Sequence, residues 1–387
     1  MNHFKMEFIL KQHTPLIHFQ SDQSGATLRA TELKPKFDRY LIKMFKKEKI
    51  EYKEFLIIGQ KRAFDYKVKI IKKKISDDKT DLNGLPDERL FMGNMGGGSR
   101  KQMYHRNFES IVILNTFNEE LKKNIEKIFP DFIFQTNFGG GSSKGFGSFT
   151  CKKNKTLSDL KNGYLFKVNS DKLEDVYNSI FYFYKMLKSG INEYDKNNNS
   201  IFYGKSFLWS YVNNTQDNAT WEKKKIKETF FSNQLEKQKK KYPHSDMLFS
   251  KKEPFLYRDL LGLSLESDWM SYDKATITKK STDISRFPSP VIFKPILEED
   301  GYIIYFWAVE VSKDILNKKF TVSDGSSSFE ISTPAVFDIG KYLEFVSKQN
   351  LVTYIDKEFQ MNNKIFNTLK TIFSSIEKIE QHSKGIL

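Results

Sequence analysis

The sequence predicts an α+β fold, and three observations carry that prediction. Hydrophobic residues make up 39% of the 387, with 35 Phe and 18 Tyr, enough apolar material for more than one core. Period-two and period-four apolar patterns alternate through the first 150 residues. Two glycine-rich stretches, Gly93 to Gly98 and Gly139 to Gly147, punctuate them.

Phe4 to Leu10, followed by Thr14-Pro15-Leu16-Ile17, reads as an opening strand that runs out at a proline. Gly25 to Lys47 carries Leu28, Leu33, Phe37, Leu41 and Phe45 at spacings near four, a helical face. Pro35 interrupts it: either the helix starts near Pro35, with proline in its first turn, or Thr27 to Lys34 is a separate turn. Phe55 to Ile58 and Tyr66 to Ile75 alternate apolar residues with lysine, the period of a half-buried strand. Glu109 to Phe117 is a strongly apolar strand through Ile111, Val112, Ile113 and Leu114. Asn118 then caps a helix to Phe129, with Leu121, Ile125 and Ile128 as its buried stripe. After the second glycine loop another strand starts at Ser148. Strand, helix, strand, strand, helix, strand is the split βαβ, ferredoxin-like (RRM-like) order, an antiparallel sheet with helices on one face.

The 237 residues beyond position 150 are too many to decorate one such unit. Lys172 to Lys188 reads as helix, and the polar run Asn192 to Asn199 is the best boundary, giving domains 1–195 and 196–387. Beyond it lie a lysine-rich helical segment, Trp221 to Lys241, and strands at Ser289 to Ile296 and Gly301 to Val311. Helices follow at about Pro334 to Gln349 and from Asn362 to His382. They make a second α/β unit whose strand order is not readable.

Basic residues number 63 against 48 acidic, a net of +15, which favours a polyanionic partner. Only 8 of the 63 are Arg, and the abundance of Lys, Asn, Ile and Phe also suits AT-rich coding, so part of the excess reads as lysine on wet surfaces. The single Cys151 excludes an internal disulfide or a multi-cysteine zinc site and fits a reducing compartment. Met1 to Lys11 lacks the pattern of a signal peptide, and no apolar run approaches the roughly 20 residues of a membrane span. The expectation is a soluble cytoplasmic protein without a membrane role.

Gly139-Gly140-Gly141-Ser142-Ser143-Lys144-Gly145-Phe146-Gly147-Ser148 is the most informative segment. Amides uncovered by Cβ atoms, two hydroxyls and a cation suit a phosphate, although a plain hairpin tip fits the glycines as well. A P-loop is absent: Lys144 follows Ser143, and the Gly-Lys-Ser at Gly204 has Asn199 where the leading glycine belongs. The dinucleotide fingerprint fails at Lys144, so no nucleotide cofactor is expected. The scarce arginines carry weight as phosphate contacts: Arg29 and Arg39 with Lys34 and Lys36, then Arg100-Lys101, then Arg286. The six histidines form no metal-binding pattern. His13 and His18, flanking the Thr14-Pro15-Leu16 turn, could serve as general base in a metal-independent ribonuclease. Lys43 to Lys74 holds 12 basic and 4 acidic residues, and its lysines alternate along the expected strand so as to line one sheet face. The lysines of Trp221 to Lys241 fit a solvated helix face equally well.

Thr14-Pro15-Leu16 at a strand end, the stretch Gly25 to Arg39, and Lys144-Gly145-Phe146-Gly147-Ser148 together resemble the RAMP superfamily of CRISPR proteins. The pattern is most similar to the first RAMP subunit of the type III-B (Cmr) effector complex. Leu28-Arg29 and Leu33-Lys34 resemble that subunit's helix start, and Arg286-Phe287-Pro288-Ser289-Pro290 resembles a stretch of its second half. Pro35 stands where the pattern has glycine, and Ser142 and Lys144 stand where it has arginines. The resemblance implies two ferredoxin-like domains in tandem, no nuclease centre, and a place near the crRNA 3′ end beside other RAMP subunits, helping to capture target RNA. The RNA-contacting set is then Arg29, Lys34, Lys36, Arg39, Arg100, Lys101, Gly139, Gly140, Gly141, Ser142, Ser143, Lys144, Gly145, Gly147 and Arg286. The alternative is a repeat-processing RAMP endoribonuclease, with His13 or His18 as base and Lys144 steadying the phosphate. Against it, such enzymes carry the glycine loop near the C-terminus, and here 239 residues follow Ser148.

Overall fold

A computed structural model describes residues 3–17, 27–74, 80–81, 103–104, 108–152, 163–197, 199–215, 219–234, 252–269, 275–361 and 363–379. His18, Arg100, Lys101 and the glycines from Gly93 to Gly98 lie outside the described residues. The chain divides into two compact units. One gathers Met1–Ile180, Ile292–Trp307 and Glu377–Leu387, the other Phe181–Val291 and Ala308–Ile376.

The first sheet follows the expected order. Its elements are β1 (Lys5–Gln12), α1 (Ala30–Glu48), β2 (Lys67–Lys74), β3 (Phe108–Asn115), α2 (Glu119–Gln135) and β4 (Phe149–Cys151). The strands lie β2-β3-β1-β4, all antiparallel, with Glu7 opposite Ile113 and Leu10 opposite Cys151. Alternation along β1 sends Met6 and Leu10 inward, where Leu33, Phe37, Leu41 and Phe45 of α1 and Leu121, Ile125, Phe129 and Phe132 of α2 meet them. In β2, Val68 and Ile70 pack on this core while Lys67, Lys69, Lys72 and Lys73 are exposed, so the alternation lapses at its end. β2 stands at the edge of the described sheet.

Both helices run through prolines: Pro35, where the sequence reading left the helix start open, and Pro130, one residue past the expected end at Phe129. Pro35 lies in the second turn of α1, and Pro130 lies inside α2, which continues to Gln135. An internal proline costs about 3 kcal/mol. Beyond Pro130, however, Phe132, Ile133 and Phe134 are all buried, at roughly 1.5–3 kcal/mol each, and their burial outweighs the missing hydrogen bond. Phe132 lies 4.8 Å from the ring of Phe37, and Phe129 meets the same ring edge-on at 5.1 Å.

The βαββαβ order then recurs. β5 (Tyr164–Val168), α3 (Leu173–Lys188), β6 (Val291–Glu298), β7 (Gly301–Ala308), α4 (Lys364–Ser375) and β8 (Glu377–Lys378) follow one another, and the strands lie β6-β7-β5-β8. This is the permutation of the first sheet, so the fold is an α+β tandem of ferredoxin-like sheets. The second sheet takes its first strand from 164–168, well ahead of the polar run. That run is the turn of a hairpin between Ile191–Tyr194 and Ser200–Gly204, where Asp195 Oδ1 accepts from the amides of Asn197 and Asn199, each at 2.8 Å. Long insertions after α3 and β7 supply a further antiparallel sheet, Glu266–Trp269, Ala275–Lys280, Lys319–Ser323 and Ser328–Ser332. Within Trp221 to Lys241 the described helix is Lys223–Phe230. No described helix is long and apolar enough to cross a membrane.

Asn118 caps α2, its side chain accepting from the Leu121 amide at 2.8 Å. Asn118→Ala is expected to lower unfolding free energy by about 1 kcal/mol in urea titrations, and Asn118→Ser to restore most of it.

Candidate nucleic-acid interface

The glycine loop and the Thr-Pro-Leu turn form one hydrogen-bonded unit. Thr14 Oγ1 donates to the Gly145 carbonyl at 2.6 Å and accepts from the Ser148 amide at 2.9 Å. The Pro15 carbonyl accepts from Gly147 at 2.7 Å, and that of Ile17 from Gly140 at 2.6 Å. Glu32, in the first turn of α1, takes the Gly139 amide at 2.7 Å. From the other side β6 holds the loop. Ser148 Oγ donates to the Pro295 carbonyl and Asn137 Nδ2 to that of Phe293, each at 2.7 Å, while the Phe293 amide donates to the Ser143 carbonyl at 3.0 Å. Phe146, fully buried, stacks on Tyr177 at 4.2 Å.

These contacts explain the glycines differently from a phosphate cradle. Gly147 has φ +65, and a Cβ there would sit 1.9 Å from the Phe138 carbonyl oxygen. At Gly139, φ +76, it would sit 2.4 Å from the Ile17 carbonyl oxygen. Close protein packing, not open backbone, requires both residues. The amides of Lys144, Gly145 and Phe146 turn back onto the carbonyls of Gly141 and Ser142. Among the described residues only the amides of Gly141, Ser142 and Ser143 lack a partner in the loop, and all three residues are partly exposed. The donor surface is therefore the loop tip, three successive N–H groups with two serine hydroxyls.

Residues 3–191 match the model of the Cmr1 N-terminal domain, and residues 203–371 match that of the Cmr1 C-terminal domain. The chain belongs to the Cmr1 family. Membership makes it a subunit of the Cmr complex. The crystal structure of Cmr1 from Pyrococcus furiosus (apo form) aligns at 11% identity, covering 97% of this chain and 98% of that one, with a TM-score of 0.37. Comparison with curated proteins gives no match.

In this Cmr1-family chain the expected cations fare unequally. Arg29, the residue before α1, and Arg39 are exposed, and among the described residues neither forms an ion pair. Lys34 donates to Asp38 at 3.2 Å and to the Phe64 carbonyl at 2.9 Å, with its ammonium 3.7 Å over the Tyr66 ring. Burial pushes Lys34 down and Asp38 up, and their mutual attraction offsets only part of it. Lys36 is held by Glu32 at 2.8 Å and by the Asn137 carbonyl at 3.1 Å. The Lys144 side chain is buried, at 7% exposure. Arg286 is exposed and belongs to the other compact unit.

His13 is buried, with both ring nitrogens engaged. Nδ1 accepts from the Leu297 amide at 3.0 Å, so Nε2 carries the proton and donates to Thr150 Oγ1 at 2.7 Å. Nearby, the fully buried Lys294 donates to the carbonyls of Ile133 and Thr136 at 2.8 and 2.9 Å, closing the C-terminus of α2. Burial drives its amine well below the usual range. Sequence reasoning missed Thr14, Glu32 and Asn137 as the loop's supports; only the recurrence of Thr-Pro-Leu with the loop hinted at the first.

Gly147→Ala is expected to abolish cooperative thermal unfolding. Gly140→Ala, whose Cβ would find its nearest neighbour at 3.6 Å, is expected to stay within about 1 kcal/mol of wild type.

Proposed function

We propose that the chain is a non-catalytic RNA-binding subunit of the Cmr ribonucleoprotein. It binds crRNA near the 3′ end and helps capture target RNA beside other RAMP subunits. The observation that carries this reading is the loop tip, whose unpartnered Gly141, Ser142 and Ser143 amides belong to a loop tied to the first turn of α1 through Glu32 and Gly139. Three successive N–H donors and two hydroxyls suit phosphate oxygens without reading bases. Arg29, one turn before Glu32 and exposed, adds a forked cation on that side of the loop, and Arg39 adds another along α1.

The non-catalytic role rests on His13. A base must offer a free nitrogen to a ribose hydroxyl, and both nitrogens of His13 hold the fold together. Lys144, the partner expected to steady a phosphate, is buried.

Binding of single-stranded RNA across a salt series tests the interface. Joint replacement of Arg29 and Arg39 by Ala should reduce the salt slope by about 0.7 for each phosphate the two arginines neutralise. Ser143→Asp, which sets a carboxylate among the open amides, should weaken binding by about tenfold, an effect on the scale of a charge-assisted hydrogen bond. A folded double variant with unchanged slope sinks the reading. Incubating the purified chain with repeat RNA in chelator should leave the RNA intact; cleavage that disappears in His13→Ala or His18→Ala would establish the ribonuclease instead.

A further inference from the structure

The second compact unit contains a charged cluster apart from the glycine loop. Glu222, which precedes the helix Lys223–Phe230, is fully buried and accepts through Oε1 from Arg258 Nε. Asp259, buried beside it in sequence, takes two hydrogen bonds from Lys279 Nζ, at 2.7 and 2.6 Å. Lys188 Nζ donates to the Gly262 carbonyl at 2.6 Å and Lys223 Nζ to that of Ser189 at 2.9 Å. Lys188 feels the charges of Asp259, Lys279, Arg258 and Glu222, and Lys223 those of Arg258, Lys227 and Glu222. Among the described residues, Lys188, Lys223, Lys227, Arg258 and Lys279 thus gather about the carboxylates of Glu222 and Asp259.

Such a surplus is relieved by shedding protons or by taking up an anion. Burial, with the neighbouring cations, brings Lys188 down to about 8 and Lys223 to about 7, so the two lysines can shed protons near neutrality. Arg258 cannot. Its guanidinium carbon lies 5.9 Å from the ring centroids of both Trp221 and Trp269, and Glu222 holds its Nε. Among the described residues its two Nη groups have no hydrogen-bond partner, and the side chain retains 12% exposure. Two indoles and a carboxylate thus flank a fork whose side chain keeps a small exposed fraction.

The geometry points to an oxyanion site here, a phosphate group gripped bidentately by the Nη groups of Arg258 with Lys223 and Lys188 supplying the balancing charge. None of these residues lies in the loop or on α1, so the site stands or falls separately from the reading above.

Calorimetric titration of the full chain with inorganic phosphate tests it, run at about pH 7.5 in two buffers of different ionisation enthalpy. Saturable binding is expected, with net proton uptake, because a bound anion raises the proton affinity of Lys188 and Lys223. Arg258→Lys keeps the charge and removes the fork, and should weaken binding by about tenfold or more. Lys223→Gln should remove much of the proton uptake, and it carries the test alone if Arg258→Lys fails to fold. Displacement of a short RNA by phosphate from wild type but not from Arg258→Lys would identify the source as a polynucleotide; undisturbed RNA would identify a free phosphate species. Absence of saturable binding, or binding that neither cluster variant alters, overturns the site.

Discussion

The hydroxyl of Thr14 is the point on which the loop surface depends. It donates to Gly145 and accepts from Ser148, so one buried oxygen spans both ends of the turn that presents Phe146 to Tyr177. Only a hydroxyl fills both roles at once; valine of the same shape would leave an amide and a carbonyl unpaired inside the protein. The Thr-Pro-Leu turn and the Gly-Phe-Gly-Ser turn, about 130 residues apart, are therefore two halves of one structural device. A loop held on all sides keeps the Gly141, Ser142 and Ser143 amides in one arrangement, so a ligand at its tip would need no prior ordering of the loop.

Burial, more than charge, decides what the lysines do. Lys34, Lys144 and Lys294 all sit where water is scarce, and the first and last hold carbonyl oxygens of the fold. His13 does the same work with two nitrogens, joining β1 to β4 and β6. Arg29 and Arg39 stay exposed, and the loop tip partly so. The basic residues thus divide into a structural part inside and a solvated part outside, with the Arg258 cluster between the two.

Much of this was legible in the sequence. The alternation in β1 and most of β2 and the Asn118 cap follow from local rules that hold wherever a strand or cap occurs. Pro35 and Pro130 misled because tertiary burial of Phe37, Phe129 and Phe132 overrides a local penalty, and that burial involves residues far apart in sequence. The strand order of the second sheet was unreadable for a related reason, although its strands near 291–298 and 301–308 were read. Its strands at 164–168 and 291–298 are separated by an insertion with a sheet of its own, and periodicity carries no record of which strands pair. Lys144 reads as a cation in any sequence; only the packing around it shows that it is enclosed.

The edge strand β2 bears on how the chain behaves at high concentration. A bare strand edge is a template for another copy, and stacking by sheet extension is the usual route to fibres. Two copies of this strand brought together would set the exposed ammonium groups of Lys67, Lys69, Lys72 and Lys73 near one another. Self-association through this edge is opposed most strongly in dilute buffer, where the Debye length exceeds the spacing between strands. Concentrated salt, rather than concentrated protein, is what removes that protection.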